Sequence, residues 1–164
     1  MPKLNFPRRR AAGCALGDHI YAFGGQGVNK RRLVSSIERL NVAETLEAGE
    51  ETTSWELIEI SQSDLRPRMN AIISPINSRQ LVIIGGQSGV LYYDSVHVFD
   101  TETKTVRTVA SGRQCETAPS PGSQTTLVRN GKILAFVSSL QYPPRIIQYS
   151  EGHSFVVTIE ELPK

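Results

Sequence analysis

The sequence predicts an all-β protein built from about three four-stranded antiparallel units. Its 164 residues are 39% hydrophobic and 21% charged, which is typical of one soluble domain. The apolar residues fall in short runs rich in β-branched and aromatic side chains, and helical periodicity is almost absent. Such runs, separated by turn residues, are typical of strands in an up-and-down sheet.

One short pattern occurs three times along the chain. The first copy, YAFGGQG at 21–27, recurs as VIIGGQS at 82–88. A third, degenerate copy is LAFVS at 134–138, in which valine and serine replace the glycine pair. Self-similarity at a period of roughly 50 residues indicates a repeat architecture. We place the three units at about 1–62, 63–114 and 115–164.

Each unit is predicted to hold four strands in the same order. The first two are joined by tight-turn signals at Gly17-Asp18, Asn77-Ser78 and Asn130-Gly131. A polar loop follows the second strand. The third strands are aligned by Ile37, Val96 and Ile146, and the fourth strands begin at Trp55, Val106 and Phe155.

These residues resemble the kelch repeat, in which one strand ends in a glycine pair, the next ends in an aromatic residue and Asp, and Trp opens the fourth. The first copy departs from this pattern at Leu40-Asn41, the second copy has Val106 at the Trp position, and the third keeps little beyond its hairpin turn. The resemblance implies a partial kelch-type β-propeller. Its structural positions here are Gly24, Gly25, Gly85, Gly86, Trp55, Phe99, Asp100 and Tyr149.

The first glycine pair and the basic cluster behind it also raise the possibility of a phosphate-binding loop. The segment 24–32 fits neither G-x-x-x-x-G-K-[ST] nor G-x-G-x-x-G, and no predicted helix follows it. The kelch resemblance implies instead that the glycines supply positive φ angles and close packing. We therefore predict no nucleotide and no other cofactor.

Three units do not close a ring, because propellers have four to eight blades. The chain is then either a segment of a longer propeller or a half-ring that homodimerises into a closed six-bladed ring. We expect the first arrangement. The remaining blades, in the same longer chain or in another subunit, would be among its partners.

Up-and-down strand order predicts that the linker into strand one and the loop between strands two and three lie at one end of each unit. We call this end the loop face. Basic and tyrosine residues concentrate there, and both types are enriched at binding hot spots. The predicted partner-binding residues are Arg8, Lys30, Arg31, Arg32, Arg66, Arg68, Tyr92, Tyr93 and Tyr142.

The resemblance implies that kelch propellers acting as ligase adaptors or cytoskeletal scaffolds hold partner segments on this face, with the Pro-Arg positions contributing. The alternative for each residue is a role without partner binding, either in a solvated loop or as cover for a sheet edge. At the opposite end lies the acidic segment 43–51, which we interpret as a solvated insertion, so the charge should be bipolar.

The hypothesis that the protein is an enzyme has less support, although copper oxidases and sialic-acid epimerases have similar repeats. A copper site needs histidines and tyrosines converging on one mouth, whereas we interpret His19, His97 and His153 as scattered surface residues. Cys14 and Cys115 have no metal-ligand or disulfide-framework spacing. We predict no catalytic and no metal-binding residues, and hence a non-catalytic interaction scaffold or adaptor.

Net charge and hydropathy argue against two classes of partner, nucleic acids and membranes. The formal charge of +2 is small for a nucleic-acid binder, and no apolar run reaches the length of a membrane span. Arg8, Arg9 and Arg10 stand where a signal peptide would have its apolar core. We expect a cytoplasmic protein, cytoskeletal or ubiquitin-ligase associated among the options, with a protein partner that carries acidic segments.

Overall fold

A computed structural model describes residues 2–28, 32–48, 53–60, 65–93 and 95–109 in full, and the backbone of 110, 114–115, 123–129, 132–138, 145–150 and 153–158. Strands make up most of these residues. In chain order the elements are β1 Arg8–Arg9, β2 Ala12–Leu16, β3 His19–Phe23, β4 Gln26–Gly27, β5 Ile37–Asn41, α1 Val42–Ala48, β6 Glu56–Ile58, β7 Ile72–Pro75, β8 Gln80–Ile84, β9 Gln87–Ser88, β10 Leu91–Tyr93, β11 Val96–Asp100, β12 Thr105–Ala110, β13 Gln114–Cys115, β14 Ser123–Arg129, β15 Lys132–Ser138, β16 Arg145–Ser150 and β17 His153–Thr158.

Twelve of these strands form three four-stranded antiparallel sheets. Their orders are β2-β3-β5-β6, β7-β8-β11-β12 and β14-β15-β16-β17, which we call blades 1, 2 and 3. In each blade the strands lie side by side in chain order, so the predicted up-and-down arrangement is confirmed. None of the described helices is long and apolar enough to cross a membrane.

The predicted turns join the first two strands of the outer blades. In blade 1, Leu16 pairs with His19, which leaves Gly17 and Asp18 as a two-residue turn with Gly17 at φ +56°. In blade 3, Arg129 pairs with Lys132 on either side of the predicted Asn130-Gly131 turn, which itself lies outside the described residues. Glycine adopts the positive φ of such turns without steric cost.

The best-described core lies between blades 1 and 2. Strand β2 contacts β7, and β7 in turn contacts β14. Blade 1 contributes Phe23 and Ile37, and blade 2 contributes Ile83 and Phe99, all of them fully buried. Burial of each such side chain stabilises the fold by about 1.5–3 kcal/mol. The seam between the two blades is therefore a continuous apolar core.

Blade 2 is buried on both faces, whereas blade 1 is covered on one. Along β8 the alternating residues Leu81, Val82, Ile83 and Ile84 are all at most 2% exposed. In blade 1, the side turned away from blade 2 leaves Ile20 at 37% and Leu57 at 40% exposure. Alternation along a strand assigns these residues to opposite faces.

The acidic segment after β5, which we interpreted as a solvated insertion, contains the short helix α1. The side-chain oxygen of Asn41 accepts a hydrogen bond from the Glu44 amide at 3.2 Å, and Thr45 Oγ1 donates to the Asn41 carbonyl at 2.6 Å. Asn is a favoured N-cap because its oxygen satisfies an orphan amide of the first turn. The segment is still solvated, with Leu46 at 81% exposure.

In blade 2 the matching residue, Asp100, caps a tight turn between β11 and β12. Its Oδ1 accepts the amides of Glu102 at 3.1 Å and Thr103 at 3.0 Å, while Arg79 Nε lies 2.7 Å from Oδ2. The Arg79 guanidinium, and then the Thr103 amide, hold the pKa of Asp100 well below its usual range.

We expect the acid sensitivity of this turn to depend on Asp100. A carboxyl whose pKa is lowered in the folded state stabilises it above the unfolded pKa of about 3.9 and ceases to do so as the pH falls towards the folded value. Asp100→Asn should therefore reduce stability at pH 7 and flatten the loss of stability below pH 4. Urea unfolding at pH 7 and at several values below pH 4 measures the free energy of unfolding of both proteins. If that free energy fell equally steeply with pH in the two proteins, the prediction would be contradicted.

Candidate interaction face

The linkers into the blades and the loops after their second strands meet at one end of the molecule. Strand β1, in the linker to blade 1, pairs with β4 in the loop, with Arg8 opposite Gly27. In the same way Met69, in the linker to blade 2, bridges to Gln87. The shared loop face that strand order predicts is present in the structure.

The glycine pair of blade 1 fits against the linker that enters blade 2. Gly24 and Gly25 have φ angles of +65° and +102°. The Gly25 amide donates to the Arg68 carbonyl at 2.8 Å, and a Cβ on Gly24 would lie 2.5 Å from that carbonyl oxygen. No side chain fits in this space.

The glycine pair of blade 2 repeats the arrangement. Gly85 and Gly86 have φ angles of +62° and +99°, and a Cβ on Gly86 would lie 3.0 Å from the Met69 carbonyl oxygen. Both pairs thus permit close packing at positive φ, as the resemblance implied.

Arg8 lies beneath the loop face with its side chain fully buried. Its Nη1 donates to the carbonyls of Gly24 at 3.0 Å and Ser36 at 3.1 Å. Its Nη2 donates to Ser36 Oγ at 3.0 Å and forms an ion pair with the Glu38 carboxylate. Burial lowers the pKa of Arg8, and Glu38 opposes the shift. The guanidinium therefore joins the glycine loop to the start of the third strand.

Arg68 occupies the equivalent place in blade 2 and is 1% exposed. Its Nη1 donates to the Gly85 carbonyl and to Ser95 Oγ, both at 2.9 Å. The Tyr93 ring lies over the guanidinium, 4.3 Å from Cζ, in a cation-π contact. Burial lowers the pKa of Arg68 to about 10, so it remains a cation at neutral pH.

These positions correct the prediction that Arg8 and Arg68 contact a partner. Their donors are used inside the molecule, on carbonyls exposed by the glycine turns. Composition alone places arginine at the surface because buried arginines are rare. Tyr93 likewise stacks on Arg68. Similarly, His97 is 2% exposed and is not the surface residue that we predicted, whereas His19 is half-buried.

Three other predicted face residues are described. Arg32 and Arg66 are exposed, and Tyr92 is half-buried in β10, opposite Gln87 and Cys115. Lys30, Arg31 and Tyr142 lie outside the described residues, as do the side chains of Tyr149 and His153.

The structure adds two arginines that sequence reasoning had not placed on this face. Arg9 is exposed, and its Nε and Nη2 donate to Gln26 Oε1 at 3.1 and 2.9 Å. Arg10 is exposed at φ +56°, and its carbonyl accepts the Asn70 amide at 3.0 Å. Alternation along β1 was the available signal, because an inward Arg8 requires an outward Arg9.

Two strongly exposed valines also lie in the loops of this face. Val28 is 82% exposed and Val90 is 74% exposed, each in the loop that follows a glycine pair. No Asp or Glu occurs in the described linker and loop segments 7–10, 24–28, 32–36, 65–70 and 85–93. We call the exposed set the basic surface; it comprises Arg9, Arg10, Arg32, Arg66, Val28 and Val90.

The opposite end of blade 1 carries a polar cavity of about 220 Å³ beside His19, Asn41 and Glu44. Two of its charged groups, Arg39 and Glu56, lie 2.6 Å apart, and Glu56 also pairs with Lys104 of blade 2 at 3.3 Å. Across the part of the chain that the structure describes, no three His, Cys, Asp or Glu side chains come together in a metal-binding group.

The three up-and-down sheets, with arginine and glycine-pair contacts in blades 1 and 2, define a blade-repeat protein of the partial β-propeller class. The sequence model of the kelch motif matches residues 7–45 and 77–113, which contain the glycine pairs of blades 1 and 2. The chain therefore carries two kelch motifs, one in blade 1 and one in blade 2. No curated protein sequence matches it significantly.

Proposed function

We propose that this chain is a non-catalytic interaction scaffold or adaptor that binds an acidic or mixed segment of a partner protein through its basic surface. Kelch motifs are commonly used for protein interaction, and the loop face is where this chain concentrates exposed arginine. We place the protein in the cytoplasm, where a reducing environment suits the free thiol of Cys14.

The observation that carries the proposal is the exposure of four arginines with no described carboxylate paired to any of them. Within the described part of the chain, the Arg9 guanidinium donates to Gln26 Oε1 and that of Arg10 to Met69 Sδ, and both acceptors are neutral. Arg32 and Arg66 are also exposed. An arginine fork can bind a carboxylate through two parallel hydrogen bonds, which suits an acidic peptide.

The exposed valines supply an apolar component. Val28 and Val90 stand on separate loops of the same face and are largely solvent-exposed. Apolar side chains ringed by polar ones are typical of protein-binding sites. A partner segment with acidic residues flanking an aliphatic or aromatic side chain would match both properties of the basic surface.

Further blades are the other partners that we propose. Ile20 and Leu57 lie on the side of blade 1 turned away from blade 2, where they are more than a third exposed. On blade 2, the side equivalent to this one packs against blade 1. Another blade, from a longer chain or a second copy, would bury these two residues in the same way.

We expect charge reversal on the basic surface to weaken peptide binding at least tenfold. The variant is Arg9→Glu, Arg10→Glu and Arg66→Glu together, and the control is Arg107→Glu, an exposed arginine on β12. The probes are fluorescent twelve-residue peptides carrying three or more Asp or Glu, measured by polarisation at two salt concentrations, because exposed charges are screened by salt. The control should bind as the wild type does.

Two outcomes would overturn the proposal. One is unchanged binding of the acidic peptides by the triple variant. The other is complete displacement of those peptides by an equimolar single-stranded oligonucleotide, which would make nucleic acid the preferred ligand of the basic surface. A thermal melt of each variant shows that it is folded before its affinity is compared.

A further inference from the structure

The two ends of blade 1 carry opposite charge. Strands β3 and β5 are antiparallel, with Phe23 opposite Ile37 at the loop face and His19 opposite Asn41 at the other end. Along β3 these two pairs are separated by about 13 Å. The basic surface lies beyond the first pair, and helix α1 begins directly after the second. The helix and the basic surface therefore cannot contact each other within one chain.

Helix α1 exposes acidic and apolar side chains together. Glu44 and Glu47 are exposed, and their spacing of i and i+3 places them on the same side of the helix. Leu46, next to Glu47, is 81% exposed. Neither carboxylate takes part in the ion pairs formed among the described residues. The helix thus offers uncompensated negative charge beside an uncovered aliphatic side chain.

The basic surface has the complementary properties. Its arginines are exposed, and they are likewise outside the ion pairs among the residues that the structure describes. A guanidinium can bind a carboxylate such as that of Glu47 through two parallel hydrogen bonds. Val28 and Val90, at 82% and 74% exposure, can supply apolar contact for Leu46. The chain therefore contains both a basic surface and a segment with the chemistry that this surface suits.

We propose that copies of this chain associate head to tail, with helix α1 of one copy bound to the basic surface of the next. This inference rests on the proposed function of the basic surface and assigns it one ligand, a second copy of the chain. Because the two contacting surfaces differ, the interface is heterologous, and each pair of copies keeps one helix and one basic surface unused. Association can therefore continue beyond two copies.

The first test is the mass of the whole chain in solution, measured by sedimentation over a range of concentrations. Contacts between exposed charges are screened by salt. The average mass should rise with concentration at low salt, and the dissociation constant should be at least about tenfold higher at about 300 mM than at about 50 mM salt. A species of one chain mass at every concentration and both salt levels would overturn the proposal.

Two variants then identify the surfaces in contact. The basic-surface variant is the triple charge reversal described above, and the helix variant is Glu44→Gln with Glu47→Gln. Each alone should associate at least tenfold more weakly than the wild type, because each lacks one of the two surfaces. Mixed in equal amounts they should form a complex with one copy of each and nothing larger, since the first supplies the helix and the second the basic surface.

A matched mixture controls for attraction between oppositely charged proteins. In it, the basic-surface variant also carries Glu44→Gln and Glu47→Gln, and it should no longer bind the helix variant. Leu46→Ser keeps both carboxylates and should weaken association of the whole chain several-fold, which tests the apolar contact without altering charge. Thermal melts show that each variant is folded. Arg107→Glu should associate as the wild type does.

The outcomes separate this inference from the proposed function. If the wild type bound the acidic peptides but did not associate with itself, only the head-to-tail contact would be wrong. If it neither bound those peptides nor associated, both proposals would be wrong. Self-association that persisted in both the basic-surface variant and the helix variant would place the contact elsewhere and overturn this inference alone.

Discussion

Gly24→Ala is expected to destabilise the protein by more than about 4 kcal/mol, an exceptional loss for one methyl group. The added Cβ would lie 2.5 Å from the Arg68 carbonyl oxygen, which is main chain and is fixed by the Gly25 amide at 2.8 Å. The φ of +65° adds strain for any residue with a side chain. Relief requires the linker to move away from the loop, which breaks the seam between blades 1 and 2.

Gly17→Ala is the matched control. Gly17 has a similar φ of +56°, but a Cβ there meets nothing within 4 Å. It should cost only the conformational strain, about 1 kcal/mol. Chemical denaturation of the two variants separates steric exclusion from backbone strain. If they differed by less than about 1 kcal/mol, close packing at Gly24 would not be important for stability.

Replacing Glu38 with alanine should destabilise the protein by about 3–5 kcal/mol, since it leaves the Arg8 cation buried without its partner. The Glu38 carboxylate is itself fully buried. Besides Arg8, it accepts the Asn5 amide at 2.7 Å, Asn5 Nδ2 at 3.0 Å and the Phe6 amide at 3.3 Å. One side chain thus anchors the linker of blade 1 to its third strand.

Glu56→Ala provides the comparison, because Glu56 also pairs with an arginine but its side chain is 46% exposed. A solvated pair of this kind contributes at most about 1 kcal/mol. The double variant Arg8→Met with Glu38→Leu should recover part of the loss by removing both buried charges, while the Asn5 and Phe6 amides still lose their acceptor. Calorimetric melts of the three proteins measure these differences. Similar losses for Glu38→Ala and Glu56→Ala would show that burial of the first pair is unimportant.

Most of the fold followed from the sequence because strand patterns and tight turns are local. The Asn130-Gly131 and Gly17-Asp18 steps predicted hairpins that the strand registers contain. The glycine pairs marked positive φ, and both show it. The helix α1 was not expected, because seven residues are too few for a periodic apolar pattern. Its N-cap, Asn41, was the signal that could have indicated it.

The candidate site was predicted less well, because the sequence does not show which way an arginine points. Arg8, Arg9 and Arg10 are adjacent in the chain, yet the first is buried and the other two are exposed. The direction was set by carbonyls of the glycine loop and by Glu38, thirty positions further along the chain. Contacts at that separation exist only once the strands have paired.

The sequence by itself therefore determined the repeat, the order of the strands and the end of each blade at which basic residues gather. These properties depend on residue type and on spacing along the chain. Only the tertiary structure decided that Arg8 and Arg68 are buried and bind groups within their own blades, that Arg9, Arg10 and Arg66 remain available at the surface, and that His97 is buried where blade 1 has Glu38. Burial depends on neighbours that folding brings together from distant parts of the chain, and a buried charge is tolerated only where those neighbours satisfy it.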